Sequence, residues 1–251
     1  MYQAQVACTV ALRGGDHPNV AASYSNMGVT LRRMGKNQEA LDMELKSLKL
    51  ERKLKSLKLE QDSHLDLGIA TSLLHVGNVL LQMGKPEEAL VKHQEGLEIK
   101  LKLLGSEHPR VADSLMGKGC CLGEMGKYEE ALVEYLKSLD IKTRNPDNHL
   151  DVAEIRENMA VIYRKQGHHD QALEIYQSVL EVKIRVYGQD SLDVAHTFNN
   201  LAAVYQCQGN HVQAKEMATK AYDTFLKMLG PDHPNTQGLE IKLKLGLEIK
   251  S

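Results

Sequence analysis

Apolar residues along the chain recur at helical spacing rather than at the alternating spacing of strands. Between 128 and 139 they follow the i, i+3, i+4, i+7, i+8, i+11 stripe of one helix face, with Tyr128, Ala131, Leu132, Tyr135, Leu136 and Leu139. The stretch before it places Val111, Leu115 and Leu122 on one face together with Gly119. The pattern therefore predicts two amphipathic helices, A and then B, joined by a short turn.

The same helix pair is predicted five times along the chain. Each copy has a marker glycine between A and B, at Gly35, Gly84, Gly126, Gly167 and Gly209, with spacings of 49, 42, 41 and 42 residues. Five residues after each marker stands an alanine: Ala40, Ala89, Ala131, Ala172 and Ala214. Seven residues before each marker stands a tiny residue: Gly28, Gly77, Gly119, Ala160 and Ala202. A glycine favours the left-handed end of helix A, and the small residues allow the two helix axes to approach closely.

A short loop of similar sequence precedes a helix A at three places in the chain. It reads "GGDHPNVA" at 14–21, "GSEHPRVA" at 105–112 and "GPDHPNT" at 230–236. Its proline suits the first turn of a helix, where the missing N–H loses no bond. We interpret the histidines of this loop as capping and packing residues: His17, His64, His108, His149 and His233. A metal-ligand role is the alternative, but the copies are about one repeat apart in space, so no metal site is predicted.

The first copy and the two chain ends depart from the rule. The segment "LKSLKLE" occurs at 45–51 and again at 54–60, which makes copy 1 seven residues longer and should lengthen its helix B and the loop after it. The lysines and arginines at 46–58 favour a solvated helix edge, with docking of an acidic partner or a membrane surface as the alternative. Residues 2–14 align with the end of a helix B whose helix A is missing, so we expect a fragment, an incomplete gene model or a chain that lost upstream repeats. The tail at 238–251 repeats "GLEIKLKL" of 96–103 and is expected to form a capping helix.

Composition narrows the function classes. Apolar residues make up 42% and charged residues 25% of the chain, the net charge is −2, and there are no tryptophans and only two phenylalanines. The net charge gives no positive electrostatic field that would attract nucleic acid. The sequence also shows no apolar run of membrane-spanning length. The four cysteines form no C-x-x-C pair, so reduced thiols and a cytoplasmic location are expected.

No catalytic constellation is found. Nucleotide-binding glycine motifs, H-E-x-x-H and G-x-S-x-G are missing from the sequence, so neither enzyme activity nor a cofactor is predicted. "HHD" at 168–170 occupies the A–B turn and is interpreted as a polar turn. Cys120 and Cys121 are interpreted as small buried residues of helix A, with a redox-sensitive groove thiol as the alternative.

These residues resemble tetratricopeptide repeats (TPRs), and the 42-residue unit with its D-H-P loop is similar to the kinesin light chain and nephrocystin type. The resemblance covers about residues 2–237. It implies an all-α fold, a right-handed superhelical solenoid of antiparallel helix pairs, as one domain over 1–237. The units would be a half-repeat at 1–15, repeats at 16–61, 62–105, 106–146, 147–188 and 189–230, and a capping helix or irregular tail at 231–251.

The family also implies a concave groove, lined by helix A, that holds an extended peptide of a partner protein. One groove column reads Asn26, His75, Gly117, Asn158 and Asn200, and the predicted groove residues are Asn26, Arg33, Asn78, Gln82, Asn158, Arg164, Asn199, Asn200 and Gln206. Asparagine amides both donate and accept, so they can pair with a peptide backbone of any sequence. His75 and Gly117 interrupt the asparagine ladder, and the lysines and arginines that clamp chaperone C-termini are incomplete.

The predicted function is therefore a non-catalytic scaffold or adaptor that binds a linear peptide segment. The chain shows no sustained heptads, so association with a motor heavy chain is not supported. An alternative is the sensor or regulatory arm of a larger signalling protein, and a weaker one is a structural spacer.

Overall fold

The fold is a series of helical hairpins. The structure, a computed structural model, describes residues 11–12, 14–57, 63–144 and 147–244. Within these ranges there is no strand, and eleven helices are bounded. The A helices are α1 (Pro18–Arg33), α3 (Ser63–Gln82), α5 (Pro109–Glu124), α7 (His149–Lys165) and α9 (Leu192–Cys207). The B helices are α2 (Asn37–Ser56), α4 (Pro86–Leu104), α6 (Tyr128–Thr143), α8 (His169–Tyr187) and α10 (His211–Leu229), and a further helix, α11, spans Pro234–Lys244.

The marker glycines end helix A as predicted. Gly35 has a φ of +73°, its N–H donates to the carbonyl of Arg32 at 3.0 Å, and the N–H of Lys36 donates to the carbonyl of Leu31 at 3.0 Å. This is the Schellman pattern, in which a left-handed residue lets two late carbonyls of the helix find donors. The same pair of bonds and a positive φ recur at the other four marker glycines. The three-residue turn that results folds helix B back antiparallel to helix A.

The prolines and histidines of the loop define how three helices begin. Pro18, Pro109 and Pro234 are the first residues of α1, α5 and α11. The preceding histidine accepts, through Nδ1, the N–H of the residue after the proline, at 3.1, 3.1 and 3.2 Å in the three copies. Capping by these histidines is therefore observed. His64 and His149 differ, since the first lies inside α3 and the second begins α7.

Within a hairpin, the tiny residue of helix A faces a buried side chain of helix B. A Cβ atom added to Gly28 would lie 2.6 Å from Glu44, and one added to Gly119 would lie 2.7 Å from Tyr135. The alanine five residues after each marker is fully buried in all five copies. Close approach of the two axes therefore rests on both small residues, as predicted.

The buried face of helix B is rotated relative to the apolar stripe. Leu136 is 53% exposed, whereas Ser138 is fully buried and donates a 2.8 Å hydrogen bond to the carbonyl of Ala112. Prediction of a buried Leu136 was therefore wrong. The physical reason is that helix B packs closely on a helix A backbone at this point, where only a small side chain fits.

The helices before and after the end of the duplicated segment, α2 and α3, are the longest B helix and the longest A helix of the described residues. Helix α2 has 20 residues, against 16 in α6 and 19 in α4, α8 and α10. Helix α3 has 20 residues, against 16 or 17 in the other A helices. The end of the duplicated segment, at 58–60, lies outside the described residues, as does most of the predicted half-repeat at 1–15 and the last part of the tail.

The chain divides into two compact units. The first ends at Ile141, in the last turn of α6, and the second begins at Lys142. In the first unit, α1 packs on α2, α2 on α3, α3 on α4 and α4 on α5. The second unit has its core between α7 and α11, around the fully buried Tyr176, Ala214 and Ala221, and α11 packs on α10.

Helix α3 is the most apolar of the helices. By length and composition alone it could cross a membrane, with a mean hydropathy of 1.2 over its best 18-residue window, contrary to the expectation that no run is long and apolar enough. Half of that window is buried inside the protein, where Leu73, Val76 and Val79 form part of the core. A core helix of this kind meets the same criterion.

Candidate functional site

A cavity of about 330 Å³ opens in the first unit between successive A helices. Helix α1 contributes Ser25 and Asn26 to its wall, and α3 contributes Thr71 and His75. Glu51 of α2 also lines it. The remaining lining residues are Ala22, His64, Leu67, Gly68, Ser72 and Arg110. Two of the lining residues, Asn26 and His75, belong to the predicted groove column.

Two carboxylates of α2 lie beneath this cavity. Glu44 is fully buried, and its Oε2 accepts a hydrogen bond from the hydroxyl of Ser25 at 3.0 Å. The Nδ1 of His75 lies 3.5 Å from Oε1 of Glu44 and 2.9 Å from the same Ser25 hydroxyl. Glu51 is 9% exposed, and its Oε2 is buried without a hydrogen-bond partner among the described residues.

The surroundings of Glu51 favour its neutral form. Burial raises the pKa of Glu51 to about 7; the Ser72 hydroxyl opposes this shift, the Glu44 charge adds to it, and His75 opposes it. A glycine makes room for the carboxyl group, since a Cβ atom at Gly68 would lie 2.9 Å from Oε1 of Glu51. The carboxyl of Glu51 therefore changes charge near neutral pH.

The second unit holds a polar network on its A helices. Glu157 of α7 accepts hydrogen bonds from Thr197 at 3.0 Å and from the amide of Asn200 at 3.1 Å, both on α9. The buried Lys183 of α8 donates to Glu157 at 2.5 Å and to Thr197 at 3.1 Å. Asn200 is thus held by a carboxylate, next in sequence to the half-buried Asn199.

The predicted groove residues fall in both units. Asn26 is exposed and lines the cavity with His75 of the same column, whereas Arg33 and Gln82 are exposed at the ends of α1 and α3. The half-buried ones are Asn78, Asn158, Arg164, Asn199, Asn200 and Gln206. The structure thus brings together Asn26 and His75 in the first unit, and Asn200 with Glu157 in the second.

Several polar residues are buried under the A helices, and their burial is not evident from the sequence. Nine residues after each marker glycine stands a buried residue: Glu44, His93, Tyr135, Tyr176 and Ala218. Sixteen residues after each marker stands another: Glu51, Lys100, Lys142, Lys183 and Phe225. Their fixed spacing from the marker was the available signal, but charged and polar residues do not extend an apolar stripe.

His93 is enclosed by glycines of two A helices. Cβ atoms added to Gly77 and Gly117 would lie 2.7 and 2.5 Å from its ring, and both ring nitrogens are buried without a partner among the described residues. Burial, and next the charge of Lys100, lower the pKa of His93 to about 4. Gly117 interrupts the asparagine column because the imidazole occupies the space beside it.

The surroundings of Cys121 and of the basic segment at 46–58 are typical of residues with a structural role. Cys121 is fully buried, burial raises the pKa of its thiol to about 12, and the hydroxyl of Tyr135 lies 3.4 Å from Sγ of Cys120. In the basic run, Lys53 pairs with Asp16 at 2.6 Å. Two further pairs of the run are Arg52 with Glu95 and Lys55 with Asp66. These pairs fit a solvated helix edge. No group of metal-binding side chains is found among the described residues.

Comparison with known proteins agrees with this architecture. The family model for the tetratricopeptide repeat matches residues 1–53, 68–144 and 151–227. The protein belongs to the tetratricopeptide repeat family. None of the curated proteins matches the sequence.

Solved structures with a similar fold include kinesin light chain-like proteins. BtubC (BKLC) of P. vanneervenii has a TM-score of 0.65 and 19% identity, over 92% of this chain and 89% of that one. A Podosopora anserina protein assigned as a kinesin light chain, with nearly identical TPR-like repeats, has a TM-score of 0.58 and 19% identity, over 84% of this chain and 97% of that one.

A third similar structure holds a peptide. The Rap conjugation gene regulator of plasmid pLS20, solved with the Phr* peptide, has a TM-score of 0.72 and 15% identity. The alignment covers 90% of this chain and 58% of the Rap chain. At these identities the three likenesses establish the fold alone, an all-α solenoid of helix pairs.

Proposed function

We propose that the protein is a non-catalytic adaptor whose A helices bind a linear peptide segment of a partner. The observation that carries the proposal is the cavity between α1 and α3, because it is lined by two residues of the predicted groove column, Asn26 and His75. Polar side chains such as Asn26, Ser25 and Thr71 offer donors and acceptors to a peptide backbone. The Rap–peptide complex supports this mode by fold alone, and the kinesin light chain resemblance makes cargo-type recognition its model.

The proposal is tested by selecting peptides from a displayed random library and measuring their Kd by fluorescence anisotropy. One double variant, Asn26→Ala/His75→Ala, alters the first unit, and another, Asn158→Ala/Asn200→Ala, alters the second. We expect at least one of them to weaken binding tenfold or more, because polar side chains of the predicted groove are lost. The control pair Glu174→Ala/Glu181→Ala changes exposed residues of α8 and should bind like the wild type.

Circular dichroism of each variant shows whether it is as helical as the wild type, so that loss of binding is not caused by misfolding. Selected peptides that bind both A-helix variants as tightly as the wild type would place recognition elsewhere. A library that yields no peptide at all would refute peptide binding and favour a spacer or the regulatory arm of a larger protein.

A further inference from the structure

The first copy differs from the others in the charge that it buries. At the position sixteen residues after the marker glycine, copies 2, 3 and 4 carry Lys100, Lys142 and Lys183, whereas copy 1 carries Glu51. The ammonium group of Lys100 donates a 2.8 Å hydrogen bond to the hydroxyl of Ser114 on the next helix A. In copy 1 the corresponding hydroxyl is that of Ser72, and it faces a carboxyl group.

A second buried carboxyl group, that of Glu44, adds to the negative charge under this cavity. Glu44 stands one heptad before Glu51 on the same face of α2, where copies 2, 3 and 4 carry histidine or tyrosine. Glu44 is fully buried, with Ser25 and His75 beside it. Two buried carboxyl groups therefore lie under one cavity, and neither has a counterpart in the other copies.

The carboxyl group of Glu51 is short of hydrogen-bond donors. Its Oε2 is buried without a partner among the described residues, and the side chain lines the cavity. A buried polar oxygen left unpaired is destabilising, so a donor group that entered the cavity would be favoured. An ammonium or guanidinium group supplies several donors and the opposite charge.

The other charged groups that line the cavity do not make it favour an anion over a cation. Arg110 and His64 line the same cavity, but both are exposed to solvent, where water and salt screen their charges. His75 is half-buried and lies beside Glu44. An anion would have to enter against two buried carboxyl groups, whereas a cation would meet the screened charges only on its way in.

We propose that this cavity receives a basic side chain, arginine or lysine, of the bound peptide, with its charged group against Glu51 and with Glu44 behind it. The proposal rests on the proposed function, in that the side chain belongs to the peptide held by α1 and α3. It specifies the chemistry of one position of that peptide.

Binding of the cation is coupled to loss of a proton from Glu51. The carboxyl is largely protonated at pH 6 and largely ionised at pH 8, since its pKa is about 7. Affinity for a cation should therefore rise about tenfold over this range. The other titratable or charged groups that face the cavity are His64, His75, Glu44 and Arg110.

The test uses small probes that need no knowledge of the natural peptide. N-acetyl-arginine N-methylamide is titrated into the full chain, and the methyl signal of Thr71, which lines the cavity, is followed by NMR. The matched probe is the citrulline analogue, which has nearly the same shape and no charge. We expect the arginine probe to bind at least tenfold more tightly, and more tightly at pH 8 than at pH 6.

Two variants separate the charge of Glu51 from the fold. Glu51→Gln keeps the shape, and Glu51→Lys installs the residue type of copies 2, 3 and 4, with Ser72 in place to accept its hydrogen bond. Both should lose tenfold or more in affinity and the pH dependence, whereas the control Glu98→Gln, on the exposed face of α4, should bind like the wild type.

Equal binding of the two probes, or full binding by Glu51→Gln, would overturn the inference. If library-selected peptides bind the A helices but carry no basic residue, the inference fails and the proposed function stands. If the arginine probe binds while no peptide is selected, the cavity is a cation site and the proposed function fails.

Discussion

Replacing Glu51 with glutamine should change how the stability of the protein depends on pH. In the unfolded chain a glutamate titrates near its ordinary pKa of 4.5, whereas burial raises the pKa of Glu51 in the fold to about 7. Below pH 4.5 the carboxyl is protonated in both states, so its contribution to stability is fully present. Between 4.5 and 7 only the unfolded state loses the proton, so this contribution falls as pH rises.

The size of the effect follows from the shift. A difference of about 2.5 units between the folded and unfolded pKa corresponds to about 3 kcal/mol, at 1.36 kcal/mol per unit. Relative to Glu51→Gln, the wild type should therefore lose about 3 kcal/mol of unfolding free energy between pH 4.5 and 8. Glutamine has nearly the same shape and no titration, so other groups that titrate in this range cancel in the comparison.

The assay is urea unfolding followed by circular dichroism at several pH values from 4.5 to 8.5. Glu98→Gln, which removes an exposed carboxylate of α4, is the control and should follow the wild type at every pH. Parallel stability curves for the wild type and Glu51→Gln would refute the reasoning, because they would mean that Glu51 ionises in the fold as easily as in the unfolded chain.

Two further predictions concern the enclosed imidazole. Gly77→Ala should destabilise the protein by about 1–3 kcal/mol in urea unfolding, because the new Cβ would lie 2.7 Å from the ring of His93, which Gly117 confines on the other side. The control is Gly238→Ala in α11, where an added Cβ would meet open space. This variant should stabilise the protein by about 0.5–1 kcal/mol. The pKa of His93 is about 4 in the fold and 6.5 in the unfolded chain, so the wild type should lose about 3 kcal/mol of unfolding free energy as pH falls from 6.5 to 4. His93→Leu should not show this loss, because leucine does not titrate. A wild type and leucine variant that lose stability together over this range would contradict the burial of an unpaired imidazole.

The helices and their ends could be predicted from the sequence because local backbone rules fix them. Gly35 and its equivalents need a positive φ, and Pro18 and its equivalents suit a first helical turn, so single residues sufficed. The buried alanines and tiny residues were also visible through their spacing. Leu136 was misplaced because hydrophobicity alone did not show that a helix A backbone approaches closely at Ser138.

The candidate site was predicted only in part. Asn26 and His75 were placed on the groove side, and they do line one cavity. Glu51 could not be predicted, since it stands in a lysine-rich stretch that favours a solvated edge, and its burial depends on the packing of α3 against α2. The burial of Lys183 could not be predicted either, because it depends on the packing of α8 against α7 and α9, where Glu157 and Thr197 accept its hydrogen bonds.

A crystal structure of the protein bound to a library-selected peptide would show which surface the peptide occupies. We expect an extended peptide along α1 and α3, with contacts to Asn26 and His75 and a basic side chain against Glu51. A peptide bound to the outer faces of the B helices, with the cavity left unchanged, would contradict this expectation.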